Sequence, residues 1–174
     1  MCGNIVLCGF MGSGKTTVGQ VLAQKSGRAF FDLDQYIEQQ EGKTVTQIFA
    51  EQGEEGFRKL ETKAARKLSE QNNLIIATGG GAVLKEENVE ILRKGGVLIH
   101  LDASLNAVEQ RLNGLDDRPL LQRDDRQEFL RILYAKRIPL YRTAAHLSVN
   151  ADYSPDDVCE QILQKARFFF SKNT

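Results

Sequence analysis

The sequence of 174 residues has few of the side chains that hold small folds together or bind transition metals. Its three cysteines, Cys2, Cys8 and Cys159, show no Cys-x-x-Cys spacing, and its two histidines, His100 and His146, are far apart. These residues predict neither a disulfide framework nor a zinc site. A chain of this length can bury about two-thirds of its unfolded surface without such links. We therefore expect a single domain over residues 1–174.

An excess of charge of either sign is also lacking. The 23 lysines and arginines balance the 23 aspartates and glutamates. Because no field of one sign covers the whole molecule, nucleic acid is not an expected partner, and any anion site must be local.

Long apolar runs are absent as well. No apolar span of about 20 residues occurs. The first strand-like segment, Asn4 to Cys8, follows the initial methionine without the basic start and long apolar run of a signal peptide. The sequence predicts a cytoplasmic monomer that acts on small molecules and has no membrane partner.

Short apolar runs alternate with amphipathic stretches of helical length, which predicts an α/β fold: a three-layer sandwich whose parallel sheet has helices on both faces. The predicted strands are Ile5–Cys8, Ala29–Leu33, Leu74–Thr78, Val97–Leu101 and Leu147–Asn150. The predicted helices are Lys15–Lys25, Val45–Glu51, Glu55–Gln71, Glu86–Lys94, Leu105–Asn113, Gln127–Ile138 and Pro155–Phe169. Gly27 and Gly95 are expected to be left-handed helix caps.

Two further segments have a distinctive composition. Gly114 to Arg126 lacks apolar periodicity and mixes seven charges with Pro119, which predicts a lid loop. Phe168-Phe169-Phe170 is expected to be the core-facing end of the last helix.

A phosphate-binding loop is predicted at residues 9–17. Gly9, Gly14, Lys15 and Thr16 match the motif G-x-x-x-x-G-K-[ST] between a strand and a helix. Glycines allow successive backbone N–H groups to converge on phosphate oxygens, and the helix N-terminus adds positive potential. Lys15 should reach the β- and γ-phosphates, and the Thr16 hydroxyl should bind Mg²⁺. The predicted nucleotide contacts in the loop are Gly12, Ser13, Gly14, Lys15, Thr16 and Thr17.

Such a loop usually needs a second magnesium anchor, an aspartate at the end of another strand. Asp32 and Asp34 close the predicted second strand, and Asp102 follows the fourth, where it could equally cap a helix. We favour Asp32, acting through water. Alternation along a strand would send Asp32 and Asp34 to the same side, so both could face one cleft.

Six segments together resemble the shikimate kinase family and occur in that family's order. They are GFMGSGKTT, FFDLD, Gly56–Glu61, the TGGG turn, Arg118–Leu121 and Arg137-x-Pro139-x-Tyr141. The resemblance covers the chain from Asn4 to about Pro155. It implies a sheet of the nucleoside monophosphate kinase type and transfer of the ATP γ-phosphate to the 3-hydroxyl of shikimate, with Mg²⁺, in aromatic amino acid biosynthesis.

The resemblance also implies roles for individual residues, with the acceptor bound by a region of about residues 33–61 and by later segments. Asp34 would hold the acceptor hydroxyl and take its proton, while Arg58 and Arg137 would bind the carboxylate. Gly79, Gly80 and Gly81 would line the same pocket. For the nucleotide, Arg118 in the lid would reach the transferring phosphate and Arg111 would lie near the adenine, with Asp152–Pro155 on the other flank.

Each of these residues could instead have a purely structural role. Arg58 could pair with Glu55 or Glu61, Arg137 could end a helix at Pro139, and Arg118 could pair with Asp116 or Asp117. The glycines could form a plain tight turn. Two other functions also stay open: a kinase for gluconate or a nucleoside monophosphate, and a non-catalytic nucleotide-binding regulator.

Overall fold

The computed structural model describes residues 3–113 and 125–172, which contain five strands and seven α-helices. The strands form one sheet in the order β2-β3-β1-β4-β5, and every neighbouring pair is parallel. They are β1 Asn4–Cys8, β2 Ala29–Asp32, β3 Leu74–Ala77, β4 Gly96–Asp102 and β5 Leu147–Asn150. The predicted five-stranded parallel sheet is confirmed.

The helices connect consecutive strands, as a parallel sheet requires. They are α1 Lys15–Ser26, α2 Leu33–Glu41, α3 Val45–Ser69, α4 Glu86–Gly95, α5 Leu105–Leu112, α6 Arg126–Ala144 and α7 Pro155–Lys172. A short 3₁₀ turn, Ala82–Leu84, follows β3.

The core lies around the three central strands β3, β1 and β4. Strand β1 is buried along its whole length, with Leu7 in register with Ala77 of β3 and Ile99 of β4. Burial on both faces explains why these strands are continuous apolar runs and do not alternate with polar residues. The strand order reverses direction at β1, so a crevice is expected beyond the carboxyl end of β1, where the phosphate loop begins.

The second strand is shorter than predicted and is followed by a helix that the sequence analysis missed. Strand β2 ends at Asp32, and its side chain caps α2 by accepting hydrogen bonds from the backbone N–H groups of Asp34 and Gln35. Asp34 therefore lies in the first turn of a helix. The prediction that Asp32 and Asp34 lie on the same side of one strand was wrong, because only Asp32 belongs to the strand.

Other predicted element ends also differ from the structure. The two helices predicted at Val45–Glu51 and Glu55–Gln71 are both present as the two parts of α3, which are joined across the non-helical Gly53, but the second part ends at Ser69. Helix α6 continues through Pro139 to Ala144. Gly27 is a left-handed cap as predicted, but Gly95 is the last residue of α4 and has no positive φ.

The C-terminal aromatic residues only partly match the prediction. Phe169 and Phe170 pack against the core, whereas the Phe168 side chain is 62% exposed. Of the cysteines that the structure describes, Cys8 and Cys159 are both buried and free. Within residues 3–113 and 125–172, no helix has both the length and the apolar character needed to cross a membrane.

Candidate active site

The loop after β1 wraps around the N-terminus of α1. Gly12 and Gly14 have φ of 73° and 91°, a left-handed conformation that glycine adopts without a Cβ clash. Ser13 is 1% exposed, and its N–H donates to the carbonyl of Phe10 over 3.1 Å. Lys15 lies along the loop, with Nζ donating to the carbonyls of Gly9 and Phe10, each at 2.9 Å. This arrangement places a cation and a helix N-terminus at one point.

An arginine side chain on another helix also holds the phosphate loop in place. The Arg111 guanidinium on α5 donates to the carbonyls of Gly12 and Ser13 at 3.4 and 3.5 Å, and to Ala151 at 2.7 Å. Arg111 thus joins the phosphate loop to the segment after β5. The predicted adenine flank begins there, and Asp152 accepts a hydrogen bond from the N–H of Ser104.

Asp32 lies where a magnesium ligand is expected. The Thr16 hydroxyl donates to Oδ2 of Asp32 over 2.9 Å, while Oδ1 of the same carboxylate caps α2. One oxygen of Asp32 is therefore held by the backbone, and the other adjoins the helix that starts at the phosphate loop. By contrast, Asp102 pairs with Arg142 at 2.8 Å, and Ser104, not Asp102, caps α5.

One cleft of about 390 Å³ brings most of the predicted site residues together. Its lining includes phosphate-loop residues, two of the three acidic candidates and both predicted carboxylate ligands: Gly12, Gly14, Lys15, Thr16, Thr17, Asp32, Asp34, Arg58, Gly79, Gly80, Gly81 and Arg137. Ser13 is a buried residue of the loop, and Arg111 contacts the loop without lining the cleft. Arg118 and most of the predicted lid lie outside the described residues.

The turn after β3 is closely surrounded by charged side chains. A Cβ built on Gly79 would lie 2.7 Å from Oδ1 of Asp34 and 3.2 Å from Oε1 of Glu61. A Cβ on Gly81 would clash with Nη1 of Arg58. A larger residue at Gly79 or Gly81 would therefore push against the charged ends of Asp34, Glu61 and Arg58 at the cleft wall.

Arg58 is held by a buried partner and an exposed one. It pairs with Glu61 at 2.9 Å and with Glu54 at 3.3 Å, and the Glu61 side chain is 1% exposed against 72% for Glu54. Burial would lower the pKa of Arg58, but Glu61 and Glu54 together outweigh it, so the pKa is raised. Burial raises the pKa of Glu61, and Arg58 opposes this only in part. The pairing with Glu61 that the sequence left open is present, and it holds Arg58 at the cleft.

Three residues at this site have no functional role predicted from the sequence. Glu61 was considered only as a structural partner of Arg58. Thr78, which precedes the glycines, lines the cleft with a buried hydroxyl that has no hydrogen-bond partner among the described residues. Tyr141 is fully buried and donates to the carbonyl of Gly80 over 2.7 Å. Each belongs to a quoted motif, but nothing local in the sequence shows which side chains a turn 60 residues away will contact.

A family model, a sequence relative and a solved structure all relate the chain to one family. The family model for shikimate kinase matches residues 11–167. A shikimate kinase from Symbiobacterium thermophilum is 47% identical over 165 residues, which are 93% of this chain and 95% of that protein. The solved structure of a shikimate kinase from Acinetobacter baumannii in complex with shikimate has a TM-score of 0.88 and 39% identity, covering 98% of this chain and 94% of that one.

A more distant likeness concerns the fold alone. A gluconokinase from Sinorhizobium meliloti has a TM-score of 0.61 at 15% identity, with 99% of this chain covered and 98% of that one.

Proposed function

The chain belongs to the shikimate kinase family, and from that premise we propose that it transfers the γ-phosphate of ATP to the 3-hydroxyl of shikimate. The products are shikimate 3-phosphate and ADP. The observation that carries the proposal is the single cleft that both the phosphate loop and the two arginines Arg58 and Arg137 line. A nucleotide on the loop and an acid on the arginines would meet there.

Asp34 is the proposed group that orients and deprotonates the acceptor. A hydroxyl is a poor nucleophile at neutral pH, and a carboxylate within hydrogen-bond reach takes up its proton as the new bond forms. The acceptor oxygen bonds to the γ-phosphorus, the bond from that phosphorus to the β-phosphate oxygen breaks, and the proton passes to Asp34. Asp34 lies against the turn at Gly79, beside the proposed carboxylate pocket.

Lys15 is the proposed cation for the transferring phosphate. Developing charge on the phosphoryl oxygens is stabilised by cations that are already in place. Lys15 begins α1 and contacts carbonyls of the loop whose backbone N–H groups would surround the β- and γ-phosphates. Arg118 is the second cation that the family resemblance implies, and Arg111 is proposed to lie near the adenine.

The residues around Thr16 fit a magnesium ion. A hydroxyl and a carboxylate 2.9 Å apart are the hard oxygen donors that Mg²⁺ prefers, and the ion usually takes its other ligands from phosphates and water. When bound, the ion would supply positive charge that neutralises part of the charge on the phosphates. Thr16 would hold it directly, and Asp32 would hold it through water.

Arg58 and Arg137 are proposed to bind the carboxylate of shikimate, because a planar guanidinium matches a carboxylate in a way that lysine does not. The test compares shikimate with its methyl ester in the parent and in Arg137→Lys. The parent should prefer the acid by about 2–5 kcal/mol. The variant should lose most of that preference with little change in ATP affinity. Equal discrimination in both proteins would show that the carboxylate binds elsewhere.

A substrate panel tests the function as a whole. A coupled ADP-release assay with shikimate, gluconate and a nucleoside monophosphate should give turnover with shikimate alone. Turnover with another acceptor would assign the cleft to that substrate, and no turnover with any would indicate a nucleotide-binding regulator. We also propose that the monomer is active, because every residue given a role comes from one chain. Activity that disappears on dilution would contradict this.

A further inference from the structure

Tyr141 lies directly behind the proposed carboxylate pocket. It is on α6, one helical turn after Arg137, and it is 0% exposed, whereas Arg137 and Gly80 line the cleft. Its hydroxyl donates to the carbonyl of Gly80 over 2.7 Å. The charge of Arg137 acts on the same hydroxyl and opposes the rise in its pKa that burial causes. Since a guanidinium can only donate, the lone pairs of the tyrosine oxygen are the part of the hydroxyl that suits Arg137, while its proton goes to Gly80.

The three groups meet at one point on the cleft wall. A Cβ built on Gly80 would lie 3.6 Å from the Tyr141 hydroxyl oxygen and 3.8 Å from Nη1 of Arg137. One hydroxyl therefore connects α6, the helix that carries Arg137, with the glycine turn that follows β3. The two elements are otherwise separated by about 60 residues of chain.

The tyrosine ring has little freedom to move. It stacks on the imidazole of His100 in β4, with ring centroids 5.7 Å apart and an interplanar angle of 27°. Burial raises the pKa of Tyr141, with the charge of Arg137 acting in the opposite direction, so the hydroxyl keeps its proton at neutral pH. The donor to Gly80 is thus always present, and its position is set by packing.

We propose that Tyr141 is a positioning residue for the acceptor carboxylate, because its hydroxyl ties α6, one helical turn after Arg137, to the carbonyl of Gly80 and so fixes these two parts of the cleft wall relative to each other. This inference rests on the proposed function, since it takes Arg137 as a carboxylate ligand. A binding site whose parts are held in place beforehand loses less freedom when the ligand binds. The effect should appear in acid binding and not in nucleotide binding.

The test is Tyr141→Phe, which deletes one oxygen and leaves the ring packing in place. Tyr134→Phe is a matched control, because Tyr134 is also on α6 and also donates to a backbone carbonyl, that of Ala103, over 2.8 Å. Tyr134 does not line the cleft. Steady-state kinetics should be measured with shikimate, shikimate methyl ester and ATP, together with the rise in melting temperature that shikimate causes.

In Tyr141→Phe the KM for shikimate should rise about tenfold, as expected for the loss of one buried hydrogen bond, and the preference for acid over ester should fall. The KM for ATP should stay within about twofold, and shikimate should stabilise the variant less than the parent. Tyr134→Phe should match the parent in all four measurements. An equal loss of acid and ester binding, or equal effects of the two tyrosine substitutions, would reduce Tyr141 to a structural role.

The variant Arg137→Lys separates the inference from the function on which it rests. If Arg137→Lys loses the acid preference and Tyr141→Phe keeps it, Arg137 binds the carboxylate without help from Tyr141, and the inference is wrong. If Arg137→Lys keeps the acid preference, the proposed carboxylate ligand is wrong, and the role of Tyr141 fails with it.

Discussion

At the scale of single residues, the two aspartates around the start of α2 differ in the contacts that their side chains make. Asp32 uses one oxygen to cap α2 and the other to accept from Thr16. Asp34 lies in the first helical turn and reaches the glycine turn after β3. Two carboxylates so close in sequence can therefore serve a metal and an acceptor hydroxyl separately.

Replacing each aspartate tests this division. Asp34→Asn should lower kcat about 10²- to 10⁴-fold, because an amide cannot take the proton, while ATP affinity measured by calorimetry survives. Asp32→Asn is the control, and its activity should be partly restored by higher magnesium concentrations. An unchanged kcat in Asp34→Asn would remove Asp34 from the mechanism.

The two glutamates that pair with Arg58 offer a second comparison. Glu61→Ala should raise the KM for shikimate about 10- to 100-fold, since a buried hydrogen bond to a charged group contributes about 1.5–3 kcal/mol. Glu54→Ala should change it about twofold or less, because exposed ion pairs contribute little. Steady-state kinetics of both variants measure these two changes in the KM for shikimate. Similar effects of both substitutions would show that Arg58 does not depend on its buried partner.

At the scale of elements, the kink in α3 separates its first two turns from the part that carries Arg58 and Glu61. Gly53 has φ 68° and ψ −176°, a backbone conformation that is essentially restricted to glycine. The sequence predicted two helices on either side of this residue, and the structure agrees, because the backbone of Gly53 is not helical. The glycine joins the two helical parts and sets the angle between them.

Gly53→Ala should lower the free energy of unfolding by about 1–3 kcal/mol, measured by urea denaturation. Among the described residues, none apart from the adjoining helix backbone has an atom within 4 Å of a Cβ built there, so backbone strain is the expected cause. Gly42→Ala is the control: that site is equally open, and its φ of 65° and ψ of 22° are less restrictive than those of Gly53. The Gly42 substitution should lower the free energy of unfolding by about 1 kcal/mol. A Gly53 variant as stable as the parent would show that the kink is not required.

At the scale of the whole molecule, a buried neutral histidine links stability to pH. His100 is 0% exposed, and burial lowers its pKa from 6.5 to about 4. The unfolded chain takes up a proton below pH 6.5 that the folded protein does not bind until about pH 4. The stabilising contribution is therefore present above pH 6.5 and is lost as the pH falls toward 4.

Between pH 7 and pH 5 this effect should remove about 2 kcal/mol of unfolding free energy, and His100→Gln should abolish that part of the loss. His146→Gln is the control. The pKa of His146 is also lowered, by burial and then by Arg93, but the His146 variant keeps the contribution of His100. Denaturation curves of the parent and both variants at the two pH values give the unfolding free energies to be compared. A pH dependence unchanged in His100→Gln would show that other groups cause it.

The sequence by itself determined the sheet, the phosphate loop and the family. Apolar runs of strand length report burial on both faces, and the glycine spacing before Lys15 reports local backbone conformation. Both are short-range properties that a sequence records directly. The family motifs also named Asp34, Arg58 and Arg137, and these residues line one cleft with Lys15.

Only the tertiary structure decided how these residues are held. The burial of Glu61 and the contact of Tyr141 with Gly80 both depend on packing between distant segments. Such contacts form because the carboxyl ends of parallel strands meet at one edge of the sheet. Local propensity carries no information about which side chains that edge will bring together.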